Sequence, residues 1–355
     1  MMPDLYQSVG GIEGCRKLSK AFYTRVARDP VLKPMFPSIH CAVEALATYL
    51  AQFLGGPSEY SPRRWYLSLR EAHLRFRIGP KESDAWLRIM GVALAEAEMS
   101  DAARRALSEF FKQAARYLTS GEAAPVEGPA APHWQRQLAL EEAVAWVRAG
   151  RIPEFERLQG CFDRDPMARV SLLGLMIGAG MLQPVREELT RHPDLARASH
   201  YLGRTLLHDA AAAGSVAMVE LLLQLGADPN GVEGHSPLYV LANSGFAPAG
   251  AELVRLLAEA GAQVNAAEGV TRCTPLHMAA CRGNVAVAEA LLACGADLEA
   301  RDRRGDTPLQ RAINCRKKDV AALLQQAASG KRSSTLSPAP PIPPGRRAAR
   351  KPKSA

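Results

Sequence analysis

The 355-residue sequence contains no C-x-x-C pair, no signal-like amino-terminal segment and no apolar run long enough to cross a bilayer. Its seven cysteines are odd in number and scattered, which is typical of reduced thiols in a cytoplasmic protein rather than of a disulfide or zinc framework. Residues 1–4 are not followed by a basic and then an apolar segment, so we expect no secretory signal. The longest apolar stretch, residues 170–182, is too short for a membrane span, and we expect no membrane partner.

The positive charge of the chain is concentrated in one segment. The net charge is +8, but residues 329–355 hold seven Lys and Arg residues and no acid, which leaves the remainder nearly neutral. The sequence therefore gives no sign of a nucleic-acid groove, and we expect no nucleic-acid partner. Residues 329–355 are also rich in proline and cannot bury a core, so we predict a disordered, basic tail there.

Apolar residues in the first part of the chain recur with the period of a helix. Three such stripes run through residues 46–54, 86–94 and 107–118, and no alternating strand pattern accompanies them. Residues 1–120 are therefore predicted to form an all-α domain. The following residues, 121–134, are rich in Gly, Pro and Ala and are predicted to be a linker. No glycine-rich phosphate loop and no nucleophile elbow occurs in the sequence.

An internal repeat dominates the second part of the chain. Similar segments begin at Thr205, Ser236, Thr274 and Thr307, at steps of 31, 38 and 33 residues. Their T-P-L-H, A-A-x-x-G and L-L-x-x-G-A-D elements together resemble the ankyrin repeat. The resemblance implies a solenoid over residues 135–328, with the first one or two units degenerate, that docks an unidentified protein on its surface.

Two histidines of the repeats invite a metal-site interpretation that we do not favour. His208 and His277 lie in the T-x-L-H element, where the ring is expected to tie one turn to the next. Cys273 and Cys281 have no metal-ligand spacing with any histidine. The repeats are therefore predicted to bind a protein and to carry no chemistry.

Residues 5–87 contain, in order, LYQSVGG, FYTRVARDPVLKPMFP, YLAQFLGGPSEYS and LREAHLRFRIGPKESDAWL. At these motifs the chain resembles a truncated haemoglobin, most closely the group II type, and the resemblance covers nearly all of residues 4–118. It implies a two-over-two globin fold in which a loop over residues 57–72 replaces most of the proximal helix. It also implies haem b as cofactor and O₂, CO or NO as ligand.

The resemblance assigns roles residue by residue. His73, in L-R-x-x-H-x-x-F-x-I-G, corresponds to the proximal iron ligand, and a neutral imidazole suits that role. Tyr23 and Trp86 correspond to distal donors whose O–H and N–H reach a bound gas. The other implied pocket residues are Phe36, Ala42, Leu46, Leu69 and Phe76.

Two further assignments stay open in the sequence. His40 lies near the start of the distal helix, where an exposed position is favoured over one facing the iron. The haem propionates need cations, and four arginines lie near His73 along the chain. They are Arg63, Arg64, Arg70 and Arg77.

The leading functional hypothesis is a globin for O₂ binding and transport that carries an ankyrin interaction module, and not an enzyme. One alternative is NO dioxygenation or peroxidase-like chemistry at the same haem; the sequence shows no flavin domain, so turnover would need an external reductant. Another is a gas-responsive adaptor, in which ligation of the iron alters contacts with the repeats. A scaffold that no longer holds haem is a further alternative.

Overall fold

Eighteen α-helices make up the part of the chain that the computed structural model describes. This part comprises residues 5–330 without residues 37, 58, 61–66, 123, 125, 232–235 and 245–248. The predicted tail, residues 329–355, lies outside the described residues except for Ser329 and Gly330. Within the described part the only β-type pairings are two isolated bridges, Ser199 with Thr205 and Glu268 with Cys273. The all-α prediction is therefore confirmed.

The described residues of the first domain form six α-helices. They are α1 (Leu5–Ser8), α2 (Gly11–Val26), α3 (Ile39–Phe53), α4 (Leu69–His73), α5 (Pro80–Glu96) and α6 (Asp101–Ser120). Helix α2 packs against α3 and α5, and α5 packs against α6. Leu18 and Phe22 of α2, one helical turn apart, are fully buried together with Leu50, Leu107 and Phe110. These contacts fix two helix pairs around one apolar core.

Gly55 ends α3 where the second part of the chain approaches. Its φ of +103° lies in the region that glycine adopts without strain. A Cβ atom at this position would also overlap the guanidinium group of Arg164. The backbone conformation therefore favours glycine directly after α3, and a larger residue would also have to displace the Arg164 side chain.

Twelve α-helices follow among the described residues of the second part. They are α7 (Ala131–Arg148), α8 (Phe155–Phe162), α9 (Pro166–Gly178), α10 (Leu182–Arg191), α11 (Leu206–Ala213), α12 (Val216–Gln224), α13 (Pro237–Asn243), α14 (Gly250–Glu259), α15 (Pro275–Arg282), α16 (Val285–Ala293), α17 (Pro308–Asn314) and α18 (Lys318–Ala328). The odd-numbered helices from α9 to α17 stack in one layer, and the even-numbered helices from α10 to α18 stack in a second layer. Each helix pair thereby buries the apolar face that it cannot bury alone.

His277 ties two consecutive repeats, as the sequence led us to expect. Its Nδ1 accepts a hydrogen bond from the backbone N–H of Thr274 at 3.1 Å. Its Nε2–H donates to the backbone oxygen of Asp306, in the next repeat, at 3.0 Å. In that next repeat the Oε1 atom of Gln310 accepts from the backbone N–H of Thr307 at 2.8 Å, so an amide replaces the imidazole there.

Three residues of the segment predicted as a linker, Val126, Ala130 and Trp134, are packed in the core of the first domain. Helix α7 begins at Ala131, and Trp134 is only 1% exposed within the core of the first domain. The indole N–H of Trp134 donates to the backbone oxygen of Ala124 at 3.1 Å. The composition of the segment does not reveal this packing, because Gly, Pro and Ala occur in free linkers and in close-packed turns alike.

No helix within the described residues is both long enough and apolar enough to span a lipid bilayer.

Candidate functional site

A cavity of about 670 Å³ lies inside the first domain, between helices α2 to α6. This volume falls in the range of roughly 300–1,000 Å³ that is typical of small-molecule and cofactor sites. The eight residues that the sequence assigned to the haem pocket all line it. They are Tyr23, Phe36, Ala42, Leu46, Leu69, His73, Phe76 and Trp86.

His73 is the last residue of the short helix α4, and one of its two ring nitrogens makes a hydrogen bond within that helix. Its Nδ1 lies 2.7 Å from the backbone oxygen of Leu69, one turn earlier in the helix. Because a carbonyl oxygen only accepts, Nδ1 carries the proton and Nε2 keeps its lone pair. Burial lowers the pKa of His73, which favours the neutral ring. This tautomer is the one that metal-binding histidines adopt.

Aromatic rings continue from His73 around the wall of the cavity. The ring centre of Phe76 lies 6.0 Å from that of His73 and 5.6 Å from that of Phe36. The ring of Phe36 in turn lies 5.3 Å from that of Tyr23, at 75° to it. This wall is apolar and suits a flat macrocycle.

Trp86 lies on α5, with its ring held 5.1 Å from the ring of Phe22 and 5.1 Å from that of Phe111. Within the described part of the chain, no protein group accepts a hydrogen bond from its indole N–H. A buried or half-buried Trp usually has such an acceptor, so the N–H remains available to a ligand in the cavity.

Helix α3 contributes more residues to the cavity than the sequence assigned. Ala42 and Leu46 line it, and so do Cys41, Ala45 and Tyr49, which are spaced four residues apart. The Tyr49 hydroxyl is buried and has no hydrogen-bond partner among the described residues. Burial raises the pKa of Tyr49, so it stays protonated. In the sequence Tyr49 is indistinguishable from an apolar core residue. Its spacing of four and eight residues from Ala45 and Cys41 is the pattern that places it on the same face of α3.

His40 is exposed and is absent from the cavity lining among the residues that the structure describes. This placement agrees with the favoured alternative for that histidine.

Two arginines stand at the edge of the cavity. Arg75 and Arg77 line it and are exposed, and the guanidinium of Arg75 lies 4.7 Å from the centre of the Phe76 ring. Arg77 was one of the four candidates for the propionates, whereas Arg75 was not considered. Arg70 is exposed and is not part of the lining, and Arg63 and Arg64 lie outside the described residues.

These features fit a haem group. One neutral imidazole presents a free Nε2 lone pair, aromatic rings form the walls, and two guanidinium groups at the edge match the carboxylates of the macrocycle. The described residues contain no group of three or more His, Cys, Asp or Glu side chains that could hold a metal ion.

Comparison with known proteins identifies both parts of the chain. Residues 4–120 match the family described as bacterial-like globin, and residues 175–268 and 247–333 match the family described as ankyrin repeats. The chain thus belongs to the truncated globins through its first domain and to the ankyrin-repeat proteins through its second part.

Three relatives illustrate this membership. The Group 2 truncated hemoglobin YjbI of Bacillus subtilis (strain 168) is 34% identical over 116 residues, which are 32% of this chain and 87% of that protein. The human Cyclin-dependent kinase inhibitor 2A is 36% identical over 130 residues, which are 36% of this chain and 80% of that protein. The human Ankyrin repeat and SOCS box protein 16 is 36% identical over 129 residues, and the chain spans only 28% of that protein. Membership of the globin family implies a haem cofactor.

Proposed function

We propose that this protein holds haem b through Nε2 of His73 and reversibly binds O₂, or the related gases CO and NO, on the opposite face of the haem. The observation that carries the proposal is the bond from His73 Nδ1–H to the Leu69 oxygen inside a cavity of haem-compatible size, since it leaves Nε2 as the free base. A haem held by one histidine supplies an open coordination position for a diatomic gas.

The surrounding side chains have distinct tasks in this proposal. Leu69 and Phe76 exclude water from the proximal side, and Phe36 stacks on the macrocycle. Tyr23 and Trp86 donate hydrogen bonds to the bound gas, which acquires partial negative charge. A hydrogen bond made in a low-dielectric cavity slows release of the gas, and a loss of about 1.4 kcal/mol corresponds to about tenfold in rate.

We infer that the ankyrin repeats dock a partner protein. The helix layers of α9 to α18 provide an extended surface of the kind that repeat proteins use for binding. Each of the two human relatives is similar to about a third of the chain, 34% and 36% of it, so we carry over a docking role from the ankyrin family but not the partners of these two proteins. We place the protein in the cytoplasm, which agrees with seven cysteines that form no disulfide.

Spectra recorded on the full chain, loaded with haem and reduced, test the proposal. We expect cycles of dioxygen and argon to convert the spectrum of the ferrous protein into that of the O₂ complex and back, with little loss over several cycles. Immediate conversion to the ferric form at first contact with dioxygen would contradict reversible binding. Stoichiometric NO consumption by the O₂ complex, with turnover on addition of a reductase, would favour the enzymatic alternative instead.

A further inference from the structure

Glu141, on the first helix of the second part, is a buried carboxylate that accepts hydrogen bonds from the first domain. It is 5% exposed. Its Oε2 accepts from the hydroxyl of Ser68 at 2.7 Å and from that of Tyr117 at 3.1 Å. Its Oε1 accepts from the backbone N–H of Leu69 and from the side-chain amide of Gln137 at 2.9 Å. No cation pairs with it among the described residues, so these four donors alone offset the cost of burying its charge.

This carboxylate caps the helix that ends in His73. Ser68 is the N-cap of α4, and its Oγ accepts from the backbone N–H of Glu71 at 3.0 Å. The next free N–H at this helix end, that of Leu69, is taken by Glu141. The carbonyl of the same Leu69 accepts the Nδ1–H of His73. One residue thus links a side chain of the second part to the ring of His73.

Helix α4 needs such support because it has only five residues, and an isolated helix of that length is not stable in water. Helix α7 supplies a second tie, in which Nε and Nη2 of Arg148 bind the two carboxylate oxygens of Glu71 at 2.7 and 3.0 Å. The amide of Gln137 also donates to the backbone oxygen of Leu67 at 3.3 Å. Leu67 is fully buried in the apolar core of the repeats rather than in that of the globin. Leu67 and Ser68, the two residues directly before α4, are therefore anchored in the second part of the chain.

We propose that α7 positions His73, with Glu141 as the principal positioning residue and Arg148 as a second tie. The inference rests on the proposed function of His73 as the haem ligand. It makes α7, and through it the second part of the chain, part of the haem site. A partner that binds by shifting α7 would change the affinity for the gas, and binding of the gas would change the affinity for that partner by the same free energy.

Three variants of the full chain test this positioning. Glu141→Ala removes the cap. Glu141→Gln keeps an oxygen for the Leu69 N–H, and the hydroxyls of Ser68 and Tyr117 can turn to accept from its new amide. Glu142→Ala is the matched control, since Glu142 is the next residue of the same helix but is exposed and pairs with Arg157 at 3.1 Å.

Two measurements report on the variants. The first is hydrogen exchange of the backbone amides of residues 67–76 in the haem-free chain. We expect Glu141→Ala to accelerate it by about tenfold, the effect of losing one charge-assisted cap, and Glu142→Ala to leave it unchanged. The second is the iron–histidine stretching band of the ferrous, haem-loaded protein. We expect this band to shift in Glu141→Ala, to return in Glu141→Gln and to stay in place in Glu142→Ala.

Unchanged exchange and an unchanged stretching band in a folded Glu141→Ala would overturn the proposal. If Glu141→Ala does not fold, Arg148→Met takes its place with Arg157→Met as control, and the absence of any effect of Arg148→Met on both measurements overturns it equally. A wild-type chain that takes up no haem would contradict the proposed function. In that case the exchange measurement on the haem-free chain still shows whether Glu141 caps α4.

Discussion

The indole ring of Trp134 lies 5.7 Å from the ring of Phe110, which lines the cavity of the globin domain. Trp134, at the end of the segment that connects the two parts of the chain, therefore lies directly behind the wall of this cavity. Phe110 also stacks on Phe53 of α3, with 4.1 Å between the ring centres. A substitution at Trp134 is therefore expected to alter both the stability of the domain and the shape of its cavity.

We predict that Trp134→Ala lowers the free energy of unfolding by about 3–5 kcal/mol, the usual cost of removing a fully buried large aromatic side chain. Urea denaturation of the full chain measures this change. The control is Trp146→Ala, at a half-buried tryptophan of the same helix whose ring lies against Arg151. An equal loss of unfolding free energy in the two variants would show that the buried contact between Trp134 and Phe110 adds no stability beyond that of a half-buried tryptophan.

Replacement of Tyr23 tests the hydrogen bond to the bound gas. We predict that Tyr23→Phe raises the rate of O₂ dissociation about tenfold, because one charge-assisted donor is lost while the ring stays in place. Stopped-flow replacement of O₂ by CO measures the rate. Tyr6→Phe serves as control, since Tyr6 is a buried tyrosine of the same domain that does not line the cavity among the described residues. An O₂ dissociation rate unchanged in Tyr23→Phe would remove Tyr23 from the distal site.

Removal of the buried Tyr49 hydroxyl is predicted to increase stability, whereas Trp134→Ala is predicted to decrease it. This hydroxyl is buried with no partner among the described residues, and a buried hydroxyl without a hydrogen bond lowers the stability of the folded state. We therefore expect Tyr49→Phe to stabilise the haem-free chain by about 1 kcal/mol, at the low end of the cost of an unpaired buried polar group. Urea denaturation of the haem-free variant measures this. A clear destabilisation would mean that the hydroxyl is paired in solution.

His277 predicts a pH dependence of the repeats. Burial lowers its pKa below the ordinary 6.5, and its Nδ1 accepts the N–H of Thr274, so the folded state holds the neutral ring. The unfolded chain takes up a proton at higher pH than the folded chain does. Stability is therefore lost as the pH falls below the unfolded value.

The replacement that isolates this contribution is His277→Gln, because the next repeat already carries Gln310 in the same position. We expect the melting temperature to fall less in this variant than in the wild type between about pH 7.5 and about pH 5.5, which bracket the ordinary histidine pKa. Thermal unfolding followed by circular dichroism measures both. Identical pH dependence of the two proteins would contradict the assignment.

The helical domain and the repeats could be predicted from the sequence because their signals are local. Apolar spacing along α3, α5 and α6 depends on neighbours within a turn or two, and so do the recurring elements at Thr205, Ser236, Thr274 and Thr307. The resemblance also named eight residues that the structure places around one cavity. His73 could be named because its segment is distinctive in sequence.

The contacts between the two parts could not be predicted in the same way. Glu141 lies 72 residues from Leu69 along the chain, and neither residue type nor spacing marks the pair. The packing of Trp134 into the globin core is likewise a long-range contact in a segment whose composition indicates a linker. Arg75 was missed because several arginines near His73 are equivalent in sequence, and only the fold places Arg75 and Arg77 at the edge of the cavity.

The most direct test of the account is the absorption spectrum of the reduced, haem-supplied full chain with and without CO, for wild type, His73→Ala and His40→Ala. We expect wild type and His40→Ala to give the same sharp Soret band that shifts on addition of CO, since His40 is exposed and outside the cavity lining. His73→Ala is expected to lose this histidine-ligated spectrum, because the free Nε2 base is gone. A His73→Ala variant with the wild-type spectrum and the wild-type response to CO would contradict the central claim.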